Sequence, residues 1–453
     1  MSSVAVLPFA DLSPGKDQEY FADGVAEEVL NGLAQVEGLR VIGRTSSFSF
    51  KGSSKRVDQI GRELGVGTVL DGSVRRMDNR LRISAQLLRT SDGTTLWAQT
   101  FDRPFADVFA IQDEIARDVI IALRARLFTG RAPTATWLRT DDPEVYGQYL
   151  LGPEFFRRGT VDGWQRALAT YQKILERAPN YAPAWAGIAR VTGNLESWVS
   201  GEAPAESGEL AAAERAIAIA PGCSEGYLAR AVHRVDSAFD WSGAHEDYQR
   251  ALALSPGDAQ VIASHAYLLG ALGRYPEAIV AARKATELDP VDPLAWAVLG
   301  SLYERTRDVA GARKALSRAL EISPENEFAL HSLASVLVEA GLPDDAIALV
   351  GRSRSVPAQL AITALARHDL GDSAGSQVAL DALIAEFAES MAYQIAQVWA
   401  RRGNPDAAFA WLDRALGQRD GALPRIEDDP LFRGLHSDPR WKAFLKKMNL
   451  PVD

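Results

Sequence analysis

Few residues in this 453-residue chain have the types and spacing that chemistry requires. Gly222-Cys223-Ser224-Glu225-Gly226 fits the G-x-S-x-G pattern of a nucleophile elbow. An elbow needs a strand before the serine and a helix after it, which hold the hydroxyl above a sheet. The residues running into Ala220-Pro221 read as helix, so the glycines read as turn residues and Ser224 as a helix start. His245-Glu246 lacks the following histidine of a zinc helix, and no other histidine pair stands three or four apart, so no metal is expected. The run from Gly61 to Gly67 has the wrong spacing for a dinucleotide loop and reads as a helix stop. There is no Gly-rich phosphate loop ending in Lys-Ser/Thr, and no cofactor is expected. Asp11, Asp17, Glu19 and Asp23 depart from calcium-loop spacing and read as a solvated loop. Arg75, Arg76, Arg80 and Arg82 form either a solvated strand face or a docking patch for an acidic partner.

Where the charge sits separates the chain into two parts. The net charge is −10, yet residues 1–130 hold 16 basic and 17 acidic residues, which leaves −9 to the remainder. All six histidines and the single cysteine, Cys223, also fall in that second part. No Cys–His or Ser–His couple can therefore form within the first part. The acidic balance argues against general nucleic-acid binding, and one cysteine excludes a disulfide framework. Apolar residues at 47% are enough for a sizeable core, and no eighteen-residue apolar run is present to span a membrane. The N-terminus lacks a basic n-region and a long h-region and runs straight into an apolar strand. That start fits a cytoplasmic protein if the chain is whole, or the periplasmic, soluble piece of a longer membrane-anchored parent.

The second part must position its polar residues on repeated helices. Prolines at 179, 221, 256, 290 and 324 close similar phrases, the last four spaced 35, 34 and 34 apart. The fullest phrase is Trp296, Leu299, Gly300, Tyr303, Ala312, Leu316, Ala319 and Pro324. Small residues let paired helices approach, bulky ones fill the gap to the next pair, and Pro ends the second helix. About eight such units are expected over residues 148–420, some degenerate, with extra turn residues around 200–205. A capping segment at 421–453 ends in a helix over Trp441, Phe444 and Leu445. The first part, 1–129, reads as strands at Val4–Phe9, Leu39–Gly43, Thr68–Met77, Arg80–Leu88 and Thr95–Phe101. Helices are expected at Tyr20–Leu33, Val57–Leu64 and Phe105–Leu127. The order βαβαβββα predicts an α/β domain with a mixed sheet, joined by a linker at 130–147 to an all-α solenoid.

Those repeat positions resemble the tetratricopeptide repeat. The first part resembles the TolB-like N-terminal domain in Val4-Ala5-Val6-Leu7-Pro8-Phe9-Ala10-Asp11-Leu12-Ser13 and Gln18-Glu19-Tyr20-Phe21-Ala22-Asp23-Gly24. Glu63-Leu64-Gly65-Val66, Asp71-Gly72-Ser73-Val74-Arg75-Arg76 and Leu96-Trp97-Ala98-Gln99 extend that likeness. The combination implies a bacterial protein in which these parts commonly follow an adenylate cyclase domain or a winged-helix regulator of the CadC type. It brings no catalytic motif.

The repeat resemblance places Arg190, Asn194, Arg230, His233, Tyr267, Ser301, Arg305, His331 and Ser335 on a concave face that would bind a protein or peptide. A chaperone-tail carboxylate clamp is not supported, because its Lys and Asn positions hold Ala186, Ala229, Ala263 and Ala297. The expectation is a non-catalytic interaction or scaffold protein with the α/β domain as docking or sensory module. The alternatives are the accessory portion of a cyclase or transcription regulator, and an enzyme with a site between the two domains, marked by perturbed acids or histidines at the seam.

Overall fold

The computed structural model describes residues 3–15, 18–36, 38–77, 79–124, 140, 142–157, 161–195 and 208–450. The first part runs β1 (Ser3–Val6), β2 (Ala10–Asp11), α1 (Glu19–Ala34), β3 (Arg40–Val41), α2 (Arg44–Phe48), α3 (Val57–Leu64), β4 (Thr68–Met77), β5 (Arg80–Arg89), β6 (Thr95–Pro104) and α4 (Val108–Arg124). The sheet order is β3-β1-β4-β5-β6, with β2 also paired to β4. β1 pairs in parallel with β3 and β4, while β4, β5 and β6 are antiparallel, so the sheet is mixed as expected.

Period-two alternation along β1 gives the sheet two apolar faces. Val4 and Val6 join the core under α1 and α4 with Val25, Val29, Ile111 and Ile115. Ala5 faces the other way, onto Ile60 and Leu64 of α3. Two short elements, β2 and α2, are absent from the sequence reading. Two and five residues are too few to show a period, so hydrophobic patterning cannot reveal them. The expected strand over Leu39–Gly43 shrinks to Arg40–Val41 because Gly43 becomes the N-cap of α2.

The second part continues as α5 (Pro143–Tyr149), α6 (Leu151–Arg157), α7 (Val161–Arg177), α8 (Ala182–Leu195), α9 (Gly208–Ile219), α10 (Ser224–His233), α11 (Trp241–Leu254), α12 (Ala259–Ala271) and α13 (Tyr275–Leu288). It then runs through α14 (Pro293–Arg305), α15 (Val309–Ile322), α16 (Glu327–Glu339), α17 (Pro343–Val350), α18 (Val356–Asp369), α19 (Ser373–Phe387), α20 (Ala392–Arg401), α21 (Pro405–Gln418) and α22 (Pro439–Lys447). Helices pair consecutively from α6/α7 to α20/α21. Asp258, Asp292 and Asn326, each 34 residues on, N-cap the first helices α12, α14 and α16 by accepting backbone N–H bonds. Gly300 marks a helix crossing, where an added Cβ would stand 2.5 Å from Leu316 Cγ.

Parts of the expected linker and of the 200–205 turn lie outside the described residues. Within the linker's range α5 is helical, and its Tyr146 is buried in the core of the α/β domain with Phe21 and Phe105. Among the described residues no helix is long and apolar enough to cross a membrane.

Candidate functional site

Beyond α21 the chain does not stop at the last helix pair. It turns back as two 3₁₀ turns, Leu423–Asp428 and Pro430–Leu435, joined at an extended Asp429. Leu423, Ile426 and Phe432 share one buried cluster with residues of α10, α11, α12 and α20. Arg419 Nη1 donates to the Ser237 carbonyl at 2.8 Å before the segment, and Trp241 Nε1 donates to the Met448 carbonyl at 2.7 Å after it. The segment therefore packs against the first helices α10, α12 and α20, with both ends tied to the middle of the solenoid.

The polar contacts of this segment gather charged and hydroxyl groups from several helices. The carboxylate of Asp429, 3% exposed, accepts from Tyr393 Oη and Gln397 Nε2, each at 2.7 Å. Tyr275 donates its hydroxyl proton to Asp428. Arg425 Nη2 stands 3.7 Å from Glu304 Oε2. Burial drives the Glu304 carboxyl up to about 7 against the opposing pull of Arg425. Burial also pushes the Tyr267 hydroxyl up to about 12. His331 is driven down to about 4, first by burial and then by the Arg425 charge. Arg305 lies with its guanidinium 5.5 Å from the Tyr275 ring centre.

The expected concave residues divide into three groups. Tyr267 and His331 share the neighbour Arg425, and Arg305 joins them through Glu304 and Tyr275. Arg190 and Arg230 sit farther along the array. Arg190 stacks 4.5 Å over Phe156, and Arg230 makes a bidentate pair with Asp247 at 2.7 and 2.8 Å. His233, on the same α10, meets Glu209 at 3.1 Å in the interior. Ser301 and Ser335, at 3% and 4% exposure, are in helix packing rather than on a solvated face; the Ser301 hydroxyl returns to the Val298 carbonyl at 2.9 Å. The side chain of Asn194, in α8, lies outside the described residues. Ala186, Ala229, Ala263 and Ala297 are buried. Tyr275, Glu304, Tyr393, Gln397, Arg425 and Asp429 escaped the sequence reading, because their partners lie up to 153 residues away. The signal was Asp428-Asp429 ahead of Leu431-Phe432 in a stretch that breaks the repeat.

The other sequence candidates acquire structural roles. Ser224 is the first residue of α10, and its hydroxyl meets Glu225 and Ser255 at 3.1 Å each, with α9 rather than a strand before it. Burial pushes the Cys223 thiol well above its usual range. Asp102 grips both Arg80 and Arg82 at 2.5 Å, and those cations hold its carboxyl low. Arg76 lies 3.9 Å over Phe105, and Arg75 Nε reaches the Leu12 carbonyl at 3.1 Å. Asp11 accepts from Ser13 N and Gln18 N, bracing its own loop; Asp17 lies outside the described residues. His245 and His265, twenty residues apart, meet at 3.1 Å across α11 and α12. Among the described residues no group of three His, Cys, Asp or Glu side chains could hold a metal ion.

The α/β domain sits on the inter-repeat turns. Asp289, after α13, accepts from Thr45 N at 3.1 Å, Ser46 N at 2.7 Å and Ser46 Oγ at 2.5 Å at the start of α2. Ser46 Oγ accepts in turn from Val291 N at 2.8 Å. Gly43 permits this approach, since a Cβ there would stand 2.4 Å from Asp289 Oδ2. Along the same seam, burial raises the Glu28 carboxyl well above its usual range and the Glu225 carboxyl to about 7.

Comparison with known proteins bears on the second part. A tetratricopeptide-repeat family model matches residues 264–327. The chain is 38% identical over 198 residues to the Rhizobium meliloti (strain 1021) protein named "Putative adenylate cyclase 3". The match covers 43% of this chain and 34% of that protein, so the chain spans about a third of the relative's length. Among solved structures, the human IFIT1 dimer with m7Gppp-AAAA gives a TM-score of 0.45 at 15% identity over 68% of this chain and 77% of that one. The APC/C hetero-tetramer Cut9–Hcn1 gives 0.44 at 16% identity, covering 76% and 63%. Pseudomonas aeruginosa PilF gives 0.36 at 17% identity, covering 50% and 99%. The chain is an α/β domain with a mixed sheet, followed by a solenoid that contains tetratricopeptide repeats.

Proposed function

We propose that the chain is a non-catalytic interaction protein whose solenoid takes an extended stretch of a partner protein on its concave face. One observation supports this reading: the helices α10, α12 and α20 already hold a non-repeating stretch of polypeptide, 423–435, by buried apolar anchors and side-chain hydrogen bonds. The α/β domain, latched to the solenoid through Asp289, serves as the docking or sensory module. Affinity capture from the native cell followed by mass spectrometry tests the proposal against an Arg230/Tyr267/Arg305 triple alanine variant. A specific partner should be captured by the parent chain and lost with the variant at unchanged helical circular dichroism. Equal capture by both would sink the concave-face assignment.

A second reading is supported by the relative's name and by the TolB-like phrases: the chain is the accessory portion of an adenylate cyclase. Sequencing the reading frame upstream of Met1 tests it. A cyclase domain in frame supports it, a winged helix supports the transcription-regulator form, and a stop codon with neither overturns both.

A further inference from the structure

We propose that residues 423–435 are a displaceable resident of a peptide site, and that the ligand which displaces them is an acidic extended peptide that brings a carboxylate to Arg305. The proposal deepens the concave-face reading and rests on it.

Arg305 is 7% exposed, and its Nε and Nη2 have no hydrogen-bond partner among the described residues. Those two N–H groups form one edge of the guanidinium fork, the edge that takes both oxygens of a carboxylate side by side. Buried donors are nearly always satisfied, so an empty fork inside a protein marks something the resident contacts do not supply. Two carboxylates of the resident segment are close by and are committed elsewhere. Asp428 goes to Tyr275, over whose ring Arg305 lies, and Asp429 goes to Tyr393 and Gln397. Glu304, next to Arg305 in the chain, likewise keeps Oε2 without a hydrogen bond and faces Arg425 only at 3.7 Å. Apolar anchoring of the segment is therefore good and its polar fit is incomplete. A competing peptide with the same apolar anchors and a free carboxylate gains what the segment leaves unmade.

The segment is also built so that it can leave. Its backbone bonds close only its own 3₁₀ turns, apart from the flanking ties. Trp241 with Met448 holds α22 from outside 423–435, and a peptide seated in the segment's place supplies the packing of Phe432 on Trp441 that the segment gives up. A tethered segment competes at a high effective concentration, roughly millimolar for short connections, so the closed form dominates until a better ligand arrives.

The test measures binding of two labelled synthetic peptides to the full chain by fluorescence anisotropy. One copies residues 421–436; the other is the same copy with its Glu427, Asp428 and Asp429 equivalents made Gln, Asn and Asn. Asp428→Ala in the chain removes the resident's hydrogen bond to Tyr275 and leaves that tyrosine free for the peptide's own carboxylate. It is expected to tighten binding of the acidic peptide at least tenfold over the parent chain. On the Asp428→Ala/Tyr275→Phe background, where the peptide's Asp428 equivalent has no tyrosine to accept from, Arg305→Met is expected to weaken the acidic peptide about tenfold and not to weaken the amide (Gln/Asn/Asn) peptide. Equal affinity for the parent chain and the Asp428→Ala variant contradicts displacement. An equal effect of Arg305→Met on both peptides contradicts the carboxylate pairing. If neither peptide binds while cell-derived partner capture still depends on the concave residues, this inference fails and the function proposed above stands.

Discussion

Arg307 stands at φ 64° in the turn between α14 and α15, where the neighbouring repeats place Gly273 at 69° and Gly341 at 73°. The left-handed conformation ends these three first helices, and only glycine reaches it without strain from a Cβ. Arg307→Gly should therefore stabilise the chain by about 0.5–1 kcal/mol, read as a raised denaturation midpoint at constant slope. An unchanged or lowered midpoint would show that the arginine side chain compensates. Residue spacing revealed Gly273 and Gly341 directly. It could not reveal that Arg307 fills the same place, because nothing about arginine announces a positive φ. Ser224 shows the opposite limit. A five-residue pattern matched a catalytic motif, and only the helix that precedes it reveals a helix start.

At the scale of elements, one carboxylate of the solenoid gathers three donors of the α/β domain. Asp289 satisfies Thr45 N, Ser46 N and Ser46 Oγ, and Ser46 has no solvent exposure. Asp289→Ala leaves those donors buried without a partner, a cost of about 1–3 kcal/mol. Hydrogen exchange of the α2 amides should accelerate accordingly, while α16 amides should not change; equal protection in both would mean that water replaces the carboxylate. A pH dependence follows from the inner cluster. His331 titrates near 4 in the folded chain, below the ordinary 6.5, so the unfolded chain takes up its proton first. Its stabilising contribution is present above pH 6.5 and is lost as pH falls toward 4. Glu304, raised to about 7, acts with the opposite sign: its contribution is present below its ordinary 4.5 and is lost as pH rises through 7. His331→Asn should thus lose less stability than the parent between pH 6.5 and 4, measured by thermal melts across that range. A parallel loss would place the acid sensitivity elsewhere, for instance at His265, also pushed to about 4.

Elements with enough residues to show a period were legible in the sequence. The long antiparallel strands, α1, α3, α4 and the helix pairs all follow from apolar spacing and proline punctuation. β2, α2 and the 3₁₀ turns of the C-terminal segment did not show, because they are held by distant partners rather than by their own pattern. Trp241 meets the Met448 carbonyl across 207 residues, a contact that no local signal encodes. The repeat pattern puts Arg305 on a polar face, but it carries no sign that the residue is buried, 7% exposed, with its guanidinium over Tyr275.

For the whole molecule, local and global charge pull in opposite directions. The second part carries −9 of the −10 net charge, which steers basic partners toward it at long range, yet the unfilled fork of Arg305 asks for an acid. An acidic peptide should then associate faster as salt rises from about 0.01 M to 0.15 M, because screening over roughly 10 Å weakens the general repulsion more than a buried pairing. Stopped-flow association of the 421–436 peptide with the Asp428→Ala chain measures this, and a rate that falls with salt would point to a basic entry path instead. The most direct measurement of the central claim is hydrogen exchange over residues 423–435 in the intact chain, with and without saturating 421–436 peptide. The account predicts strong protection of the chain's own segment alone and at least tenfold faster exchange once the peptide is bound, with α22 still protected. Full protection of 423–435 in the presence of bound peptide would mean that the peptide binds elsewhere, and it would contradict the account.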